Sequence, residues 1–457
     1  MQKYGSILIL LISITCAQGL FERAGIDTDD DQVTQNLDIS GFVRGTSYIG
    51  NLGKNKSAEL QSGYGELCLK LQADQGEKGD VFAELRFRSG HEYGNSISEF
   101  DISEAYVNAY LWKFDFRLGK QIVMWGRADG FNPTNNITPQ DPTVRSPDPD
   151  DIYGANFLLR THLNLASAWR LEGIWVPQYS ASVLAFEQAD LTVPPEMQAV
   201  MQSLGLGDLE IAIGDGDYPG PELQNGSLAG KLSLELSAFD GSISYAKGYN
   251  PRPGIKLGAL DAENGKLIII PAAYRQNVFG LDFSTAFKSW GLRGELALRT
   301  PENKHDNLRY YYVPYSDLYC VLGVDRMWRN FSVIAQYIGR YVYDFEELHT
   351  TADLMGLLYG DLDNYNRLFS NQTHSARHAI TFRPAITLYY EALKLELFSM
   401  YDLTTDEYML MPKISYSPAD AIKFIVGANY YQGNEGTAFD LIENSFNAVF
   451  MELKISF

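Results

Sequence analysis

Apolar and polar side chains alternate along most of this chain. In residues 65–73, GELCLKLQA, Leu67, Leu69 and Leu71 fall on one face of an extended segment, and Glu66, Cys68, Lys70 and Gln72 on the other. Residues 81–88, VFAELRFR, set Val81, Ala83, Leu85 and Phe87 against Phe82, Glu84, Arg86 and Arg88. The split recurs in KLSLELSAF, with Leu232, Leu234 and Leu236 against Lys231, Ser233 and Glu235, and in EALKLELF, with Leu393, Leu395 and Leu397 against Lys394 and Glu396. A period of two predicts strands with one apolar and one polar face. About eighteen such segments of roughly 10 to 14 residues can be placed, the length a tilted membrane strand needs.

The connections decide what the strands build. Short turns are predicted at QGEKGD, WKFD, NLAS, FDG, FKSWG, MWRN, YYEA and SPAD. Between them come longer stretches, among them NLGKNKSAELQS, the segment after Trp125, residues 179–225, NPRPGIKLGALDAENGK, PENKHDNLRYYYVPY, residues 344–374 and QGNEGTAFDLIEN. Short and long connections are expected to alternate through the whole chain, as in an outer-membrane barrel with short periplasmic turns and long external loops. A soluble sheet with one wet face explains a single strand equally well, but not this alternation.

The aromatic residues point the same way. Of six tryptophans, Trp112, Trp169, Trp290 and Trp328 lie at or beside predicted short turns, and Tyr389 and Tyr390 flank another. A soluble core would hold Trp near strand centres; an interfacial girdle holds it at strand ends. The chain closes on FNAVFMELKISF, with Val449, Met451, Leu453, Ile455 and Phe457 on one face. This ending resembles the one that the barrel-assembly machinery recognises, so that machinery is an expected partner through the strand ending at Phe457. Outer-membrane lipids and lipopolysaccharide are expected around the barrel. The fold class expected is all-β, a transmembrane antiparallel up-and-down barrel of about 18 strands, with 16 as the alternative.

Composition adds bounds. Residues 1–19, with Lys3, an apolar run from Ile7 to Ile14 and small residues Ala17 and Gly19, read as a secretory signal peptide; a lipoprotein signal at Cys16 is the alternative, with Thr15 a poor residue before it. Residues 20–36 are assigned to a periplasmic segment and 37–457 to the barrel, in the outer membrane of a Gram-negative-type bacterium. The formal net charge of -20 disfavours nucleic acid and anionic surfaces as partners. Cys68 and Cys320 lie in separate strands without metal spacing, so free thiols are expected.

One loop stands out. After Gly119, Lys120 and Gln121 at the end of a predicted strand, the chain runs WGRADGFNPTNNITPQD, with Trp125, Gly126, Asn132, Pro133, Pro139 and Asp141. This resembles the motif of a family of porin-like outer-membrane β-barrel proteins of unknown function, in which a Gly-Lys/Arg-Gln strand end leads into Trp-Gly, Asn-Pro and Pro-x-Asp. The resemblance implies a barrel and passage of a substrate, and carries no substrate identity. Pro133, Pro139, Pro142, Pro147 and Pro149 limit the backbone freedom of the segment. A rigid polar loop after an early strand is suited to fold inward and narrow a lumen. The expected constriction residues are Trp125, Arg127, Asp129, Asp141 and Arg145. The expected lumen wall holds Glu66, Lys70, Glu84, Arg86, Arg88, Asp115, Arg117, Arg293, Glu295 and Arg299. Arg86, Arg88, Arg117, Arg293 and Arg299 are read as a basic side favouring an anionic or polyhydroxyl solute.

Other chemistry finds less support in the sequence. His374 and His378 are four apart without a zinc-protease glutamate, and the acidic runs at 27–31 and 214–222 lack EF-hand spacing; no metal or cofactor is expected. No G-x-S-x-G setting occurs, and no enzyme activity is expected. The leading reading is a porin-like channel or substrate-specific transporter for small, polar or anionic solutes. The alternative is a carrier of hydrophobic or lipid-like molecules, motivated by an apolar helix over 193–204 begun by Pro194 and Pro195, with Val193, Met197, Val200, Met201 and Leu204 near one face, and by Met355, Leu357, Leu358 and Tyr359. A surface adhesion protein is a third class.

Overall fold

The computed structural model describes residues 36–50, 58–74, 76–186, 188–189, 191, 193, 195–203, 210–261, 263–348 and 354–457. The expected signal peptide, almost all of the 20–36 segment, the acidic run 27–31, Leu204 and His349 lie outside the described residues. The side chain of Met201 does too.

Eighteen antiparallel strands close into one barrel. The first eight are β1 (Asn36–Gly50), β2 (Glu59–Asp74), β3 (Gly79–Glu92), β4 (Asn95–Leu111), β5 (Phe114–Gln121), β6 (Asn156–Ala166), β7 (Trp169–Val176) and, after a short loop strand β8 (Glu210–Ile213), β9 (Ser227–Glu235). The wall continues with β10 (Phe239–Tyr249); β11 (Gly254–Asp261) and β12 (Lys266–Ala272) belong to a loop. Then follow β13 (Arg275–Phe287), β14 (Trp290–Pro301), β15 (Asp317–Trp328), β16 (Phe331–Val342), β17 (Ala376–Leu388), β18 (Leu393–Asp402), β19 (Glu407–Ala419), β20 (Ile422–Gln432) and β21 (Ala448–Ser456). Closure comes from β1 pairing with β21, in register from Phe42↔Ser456 to Gly50↔Ala448. A closed ladder leaves no open sheet edge to the bilayer, which is why strands cross membranes only as barrels.

The faces follow the alternation. Val449, Met451, Leu453 and Ile455 are exposed on the outside of β21, whereas Ala448, Phe450 and Glu452 between them are buried inside. Trp112, Trp169, Trp290, Trp328, Tyr389 and Tyr390 all lie exposed at the short-turn rim, with Trp112 86% exposed. Trp112, Lys288 and Arg329 take positive φ values of 53–57° in these tight turns, a conformation costing a non-glycine residue about 1 kcal/mol. At Trp112 the turn holds the ring at the level of the lipid interface.

Three details correct the sequence reading. The FDG turn lies earlier than expected: Asp240 already pairs with Glu235. The long-loop side is not long throughout, because β3 and β4 are joined by 93–94 alone and β18 and β19 by 403–406. Tyr93 and Gly94 both have positive φ, the geometry of a type I′ hairpin that an Asn-Gly pair would have announced and Tyr-Gly does not.

The third correction concerns the apolar loop residues. Helix α1 (Pro195–Ser203) forms as expected, and α2 (Leu354–Ser370) forms where only an apolar loop was anticipated. Phe186, Val193, Met197, Ile255, Leu267, Ile269, Tyr311, Leu358 and Leu362 pack into one core with the small β8–β12–β11 sheet. Met197 is only 1% exposed. Among the described residues of the apolar surface read as a landing site for lipid-like molecules, Val193, Met197 and Leu358 are packed against the other external loops, and Met355 is exposed.

Candidate functional site

The loop 122–155 leaves the wall where β5 ends. Gln121 is fully buried and donates to the Leu158 carbonyl at 3.1 Å. Val123, Trp125 and Ile137 then pack on Leu158, Ile174 and Val176 of β6 and β7. Trp125 is 2% exposed and seats the loop on the wall; with its ring enclosed, it does not line open space as the sequence reading expected.

Beyond Trp125 the chain crosses the barrel. Gly126 has φ +114°, and a Cβ there would lie 2.6 and 2.7 Å from the two carboxylate oxygens of Glu295 on β14. Because Gly126 lacks that atom, the Glu295 carboxylate accepts the backbone amides of both Arg127 and Ala128, and the Thr134 hydroxyl at 3.1 Å. Consecutive amides converging on one carboxylate form an anion nest. Arg127 donates to Asp282 of β13 at 2.7 Å, Asp129 pairs with Arg383 of β17 at 2.9 Å, and Phe131 stacks on Phe398 of β18 with centroids 6.3 Å apart. The Trp-Gly pair thus seats one turn on the near wall and pins the next to the far one.

The returning half is held at the β1–β3 wall. Asp151 binds Arg44 at 2.7 Å and Arg86 at 2.8 Å, and accepts from Ser146. Burial alone would raise its carboxyl, but the guanidinium groups of Arg44 and Arg86, with the Ser146 hydroxyl, outweigh burial and hold it at about 2. Arg145, also buried, donates to Gln61 at 2.8 Å and to the Ser445 carbonyl, with the rings of Tyr48, Tyr93 and Phe446 around its guanidinium. Asp141 caps its own turn, accepting the Thr143 amide at 2.9 Å. Arg145 and Asp141 are therefore structural anchors of the loop.

A depressed carboxyl stabilises the fold above its unfolded value, here the ordinary 3.8, and the contribution is lost as pH falls through about 2. For so enclosed a group the shift amounts to about 2 kcal/mol. Single-channel traces of the native protein should stay quiet down to about pH 4, while Asp151→Asn should be noisy already at neutral pH. Equal noise in both at neutral pH would remove Asp151 as the seat of the loop.

Most of the charged residues expected on the wall are neutralised by partners. Lys70 pairs with Glu84 at 3.2 Å, Arg86 with Glu84 at 2.7 Å, Arg88 with Glu92 at 2.9 Å and Arg293 with Asp325 at 3.2 Å. Asp115 accepts from Asn164 at 3.2 Å. Arg117 donates to Asn108 at 2.7 Å and lies 4.0 Å from the Tyr106 ring centroid. They occupy β2, β3, β5 and β14, so they do not form one basic side.

Open space lies beside another part of the loop. A cavity of about 350 Å³ remains between residues 130–140 of the loop and the β13–β16 wall. Its loop side is neutral, with Asn132, Asn135, Asn136, Thr138 and Gln140. Facing it are Arg299, Arg340 and Tyr319 of the wall with Tyr274 beside β13 and Arg252 from the loop after β10, and among the described residues Asp317 is the single carboxylate lining the cavity. Asp317 binds Arg299 at 2.7 Å and lies 3.6 Å from Arg340. Arg252 donates to the Phe369 carbonyl at 3.1 Å and forms no ion pair among the described residues. Of the residues named from sequence only Arg299 belongs to this set. Arg340 was legible in principle, since it alternates with outward Tyr337 and Tyr341; Arg252 lies in a Pro-rich loop with no periodicity to orient it.

Among the described residues no group of three His, Cys, Asp or Glu is placed to hold a metal. His378 accepts or donates at the Tyr337 hydroxyl, 2.7 Å away, and Asp217 of the 214–222 run pairs with Lys256. Cys68 and Cys320 are free thiols.

No protein-family model matches this chain, and no curated protein matches it in sequence. Solved structures do match. OccAB3 and OccAB4 of Acinetobacter baumannii superpose with a TM-score of 0.53, at 10% and 8% identity, covering 92% and 93% of this chain and 99% of each of theirs. OccK3 (OpdO) of Pseudomonas aeruginosa superposes with a TM-score of 0.52 at 8% identity, over 92% of this chain and 95% of its own. At these identities the likeness is one of fold: a closed 18-stranded barrel of the outer-membrane type.

Proposed function

We propose that this chain is a porin-like outer-membrane channel that passes small anionic solutes along its β13–β16 wall. The observation carrying the reading is the imbalance around the cavity among the described residues, three guanidinium groups against the single carboxylate of Asp317. One uncompensated charge about 5 Å from a solute, at an effective dielectric of about 20, contributes about 3 kcal/mol. That local field acts at the cavity, whereas the net charge of -20 is spread over the whole chain. The neutral amide wall opposite offers donors and acceptors to hydroxyl groups without opposing the anion.

The test is uptake into proteoliposomes of two solutes with one carbon skeleton, gluconate and sorbitol. Gluconate is expected to enter several-fold faster. Equal rates would leave a pore but remove its preference for anions, and entry of neither would remove the open channel.

A further inference from the structure

The short-turn half of the lumen carries a second group of cations that the loop does not touch. Lys394, Lys413, Lys423 and Lys454 stand on four neighbouring strands, β18 to β21. Their side chains share the inward face: Lys394 and Lys413 both reach Glu396, at 2.6 and 3.5 Å, Lys423 is two residues before buried Ile425 on the same face, and Lys454 follows buried Phe450 and Glu452 at two-residue steps. Lys423 and Lys454 are directly opposite each other in the β20–β21 ladder, and Lys454 is in turn opposite Arg44.

Like charges directly opposite in a ladder destabilise it. Arg44 is compensated by Glu66 and Asp151. Glu452, the inward carboxylate beside Lys454, accepts from Thr46 at 3.1 Å and faces Arg44 at 3.6 Å. Among the described residues neither Lys454 nor Lys423 forms an ion pair within 4.0 Å; the Lys454 ammonium lies 4.0 Å from the Phe42 ring centroid and feels the Glu452 carboxylate only at longer range. A cost kept in an otherwise consistent sheet marks function more often than accident.

We propose that Lys423 and Lys454, flanked by Lys394 and Lys413, form an anion-binding station at the short-turn mouth. It receives a carboxylate- or phosphate-bearing solute after the constriction and lets it leave in a second step. The inference rests on the lumen being an anion path, and it adds a site on a different wall from Arg252, Arg299 and Arg340. Two weak sites in series favour passage over trapping.

The experiment is single-channel block by inorganic phosphate added to one side at a time, on the native protein and on Lys423→Ser/Lys454→Ser. In the variant the on-rate of block from the short-turn side should fall by about tenfold, with block from the long-loop side unchanged. The variant should also unfold at a higher temperature, since the facing charges are gone; should it fail to assemble, Lys423→Gln alone is expected to show the same one-sided loss. Unchanged block from the short-turn side overturns the station, even with anion preference intact. A native channel without anion preference would instead sink the proposed function, which the zero-current potential reads independently of block.

Discussion

Replacing Glu295 by Ala is expected to free the tip of the 122–155 loop and give a channel with larger, noisier conductance. The carboxylate accepts two backbone amides and the Thr134 hydroxyl, and bonds to a charged acceptor contribute roughly 1.5–3 kcal/mol each. Their combined loss, offset partly by water entering the lumen, leaves about 3 kcal/mol, a shift on the order of 100-fold toward displaced loops. Gly126→Ala should give the same phenotype by the opposite route, since the new Cβ would lie 2.6 Å from a Glu295 oxygen. Because both changes break one contact, the double variant should be no more open than either alone. Two quiet channels of native conductance would mean that the loop is held by its other anchors, Arg127–Asp282 and Asp129–Arg383.

The second large effect is expected from Arg252→Glu. Arg252 is exposed to the cavity and has no carboxylate partner among the described residues, so reversing it cancels the excess charge without stranding a buried acid. Arg299→Ala is a poorer probe, because it leaves Asp317, fully buried, short of its closest cation. The zero-current potential under a salt gradient should move strongly toward cations in Arg252→Glu, with assembly unaffected. Arg117→Ala with Arg127→Ala, the pair the sequence pointed to, should move it far less, since Arg117 rests on Tyr106 and Arg127 is neutralised by Asp282. The reverse ranking would place the selective passage on the β4–β5 side.

The barrel was largely legible because a two-residue period is a local property. Leu67 and Cys68, or Leu395 and Glu396, declare their faces from their neighbours alone, and Trp112, Trp169, Trp290 and Trp328 mark one rim. Helix α2 was legible too, with Leu354, Leu357, Leu358, Leu362, Tyr365 and Phe369 at helical spacing, but a loop context hid it. The loop motif led to the crossing segment, and still its residues were sorted wrongly. Trp125 and Arg145 look exposed in a polar stretch, yet each is buried by side chains far away in sequence, Ile174 and Phe446 among them. Charge balance was the least legible feature. Whether Arg86 or Arg252 carries free charge depends on Asp151 reaching the first and no described carboxylate reaching the second, and these are tertiary facts.

The measurement that bears most directly on the account is the zero-current potential of the native channel across a potassium chloride gradient. Three guanidinium groups against one carboxylate among the described residues of the cavity predict a potential of the sign for chloride passing faster than potassium, weakening as salt rises and screens the field. A cation-selective potential at low salt, the sign the net charge of -20 alone would give, would contradict it.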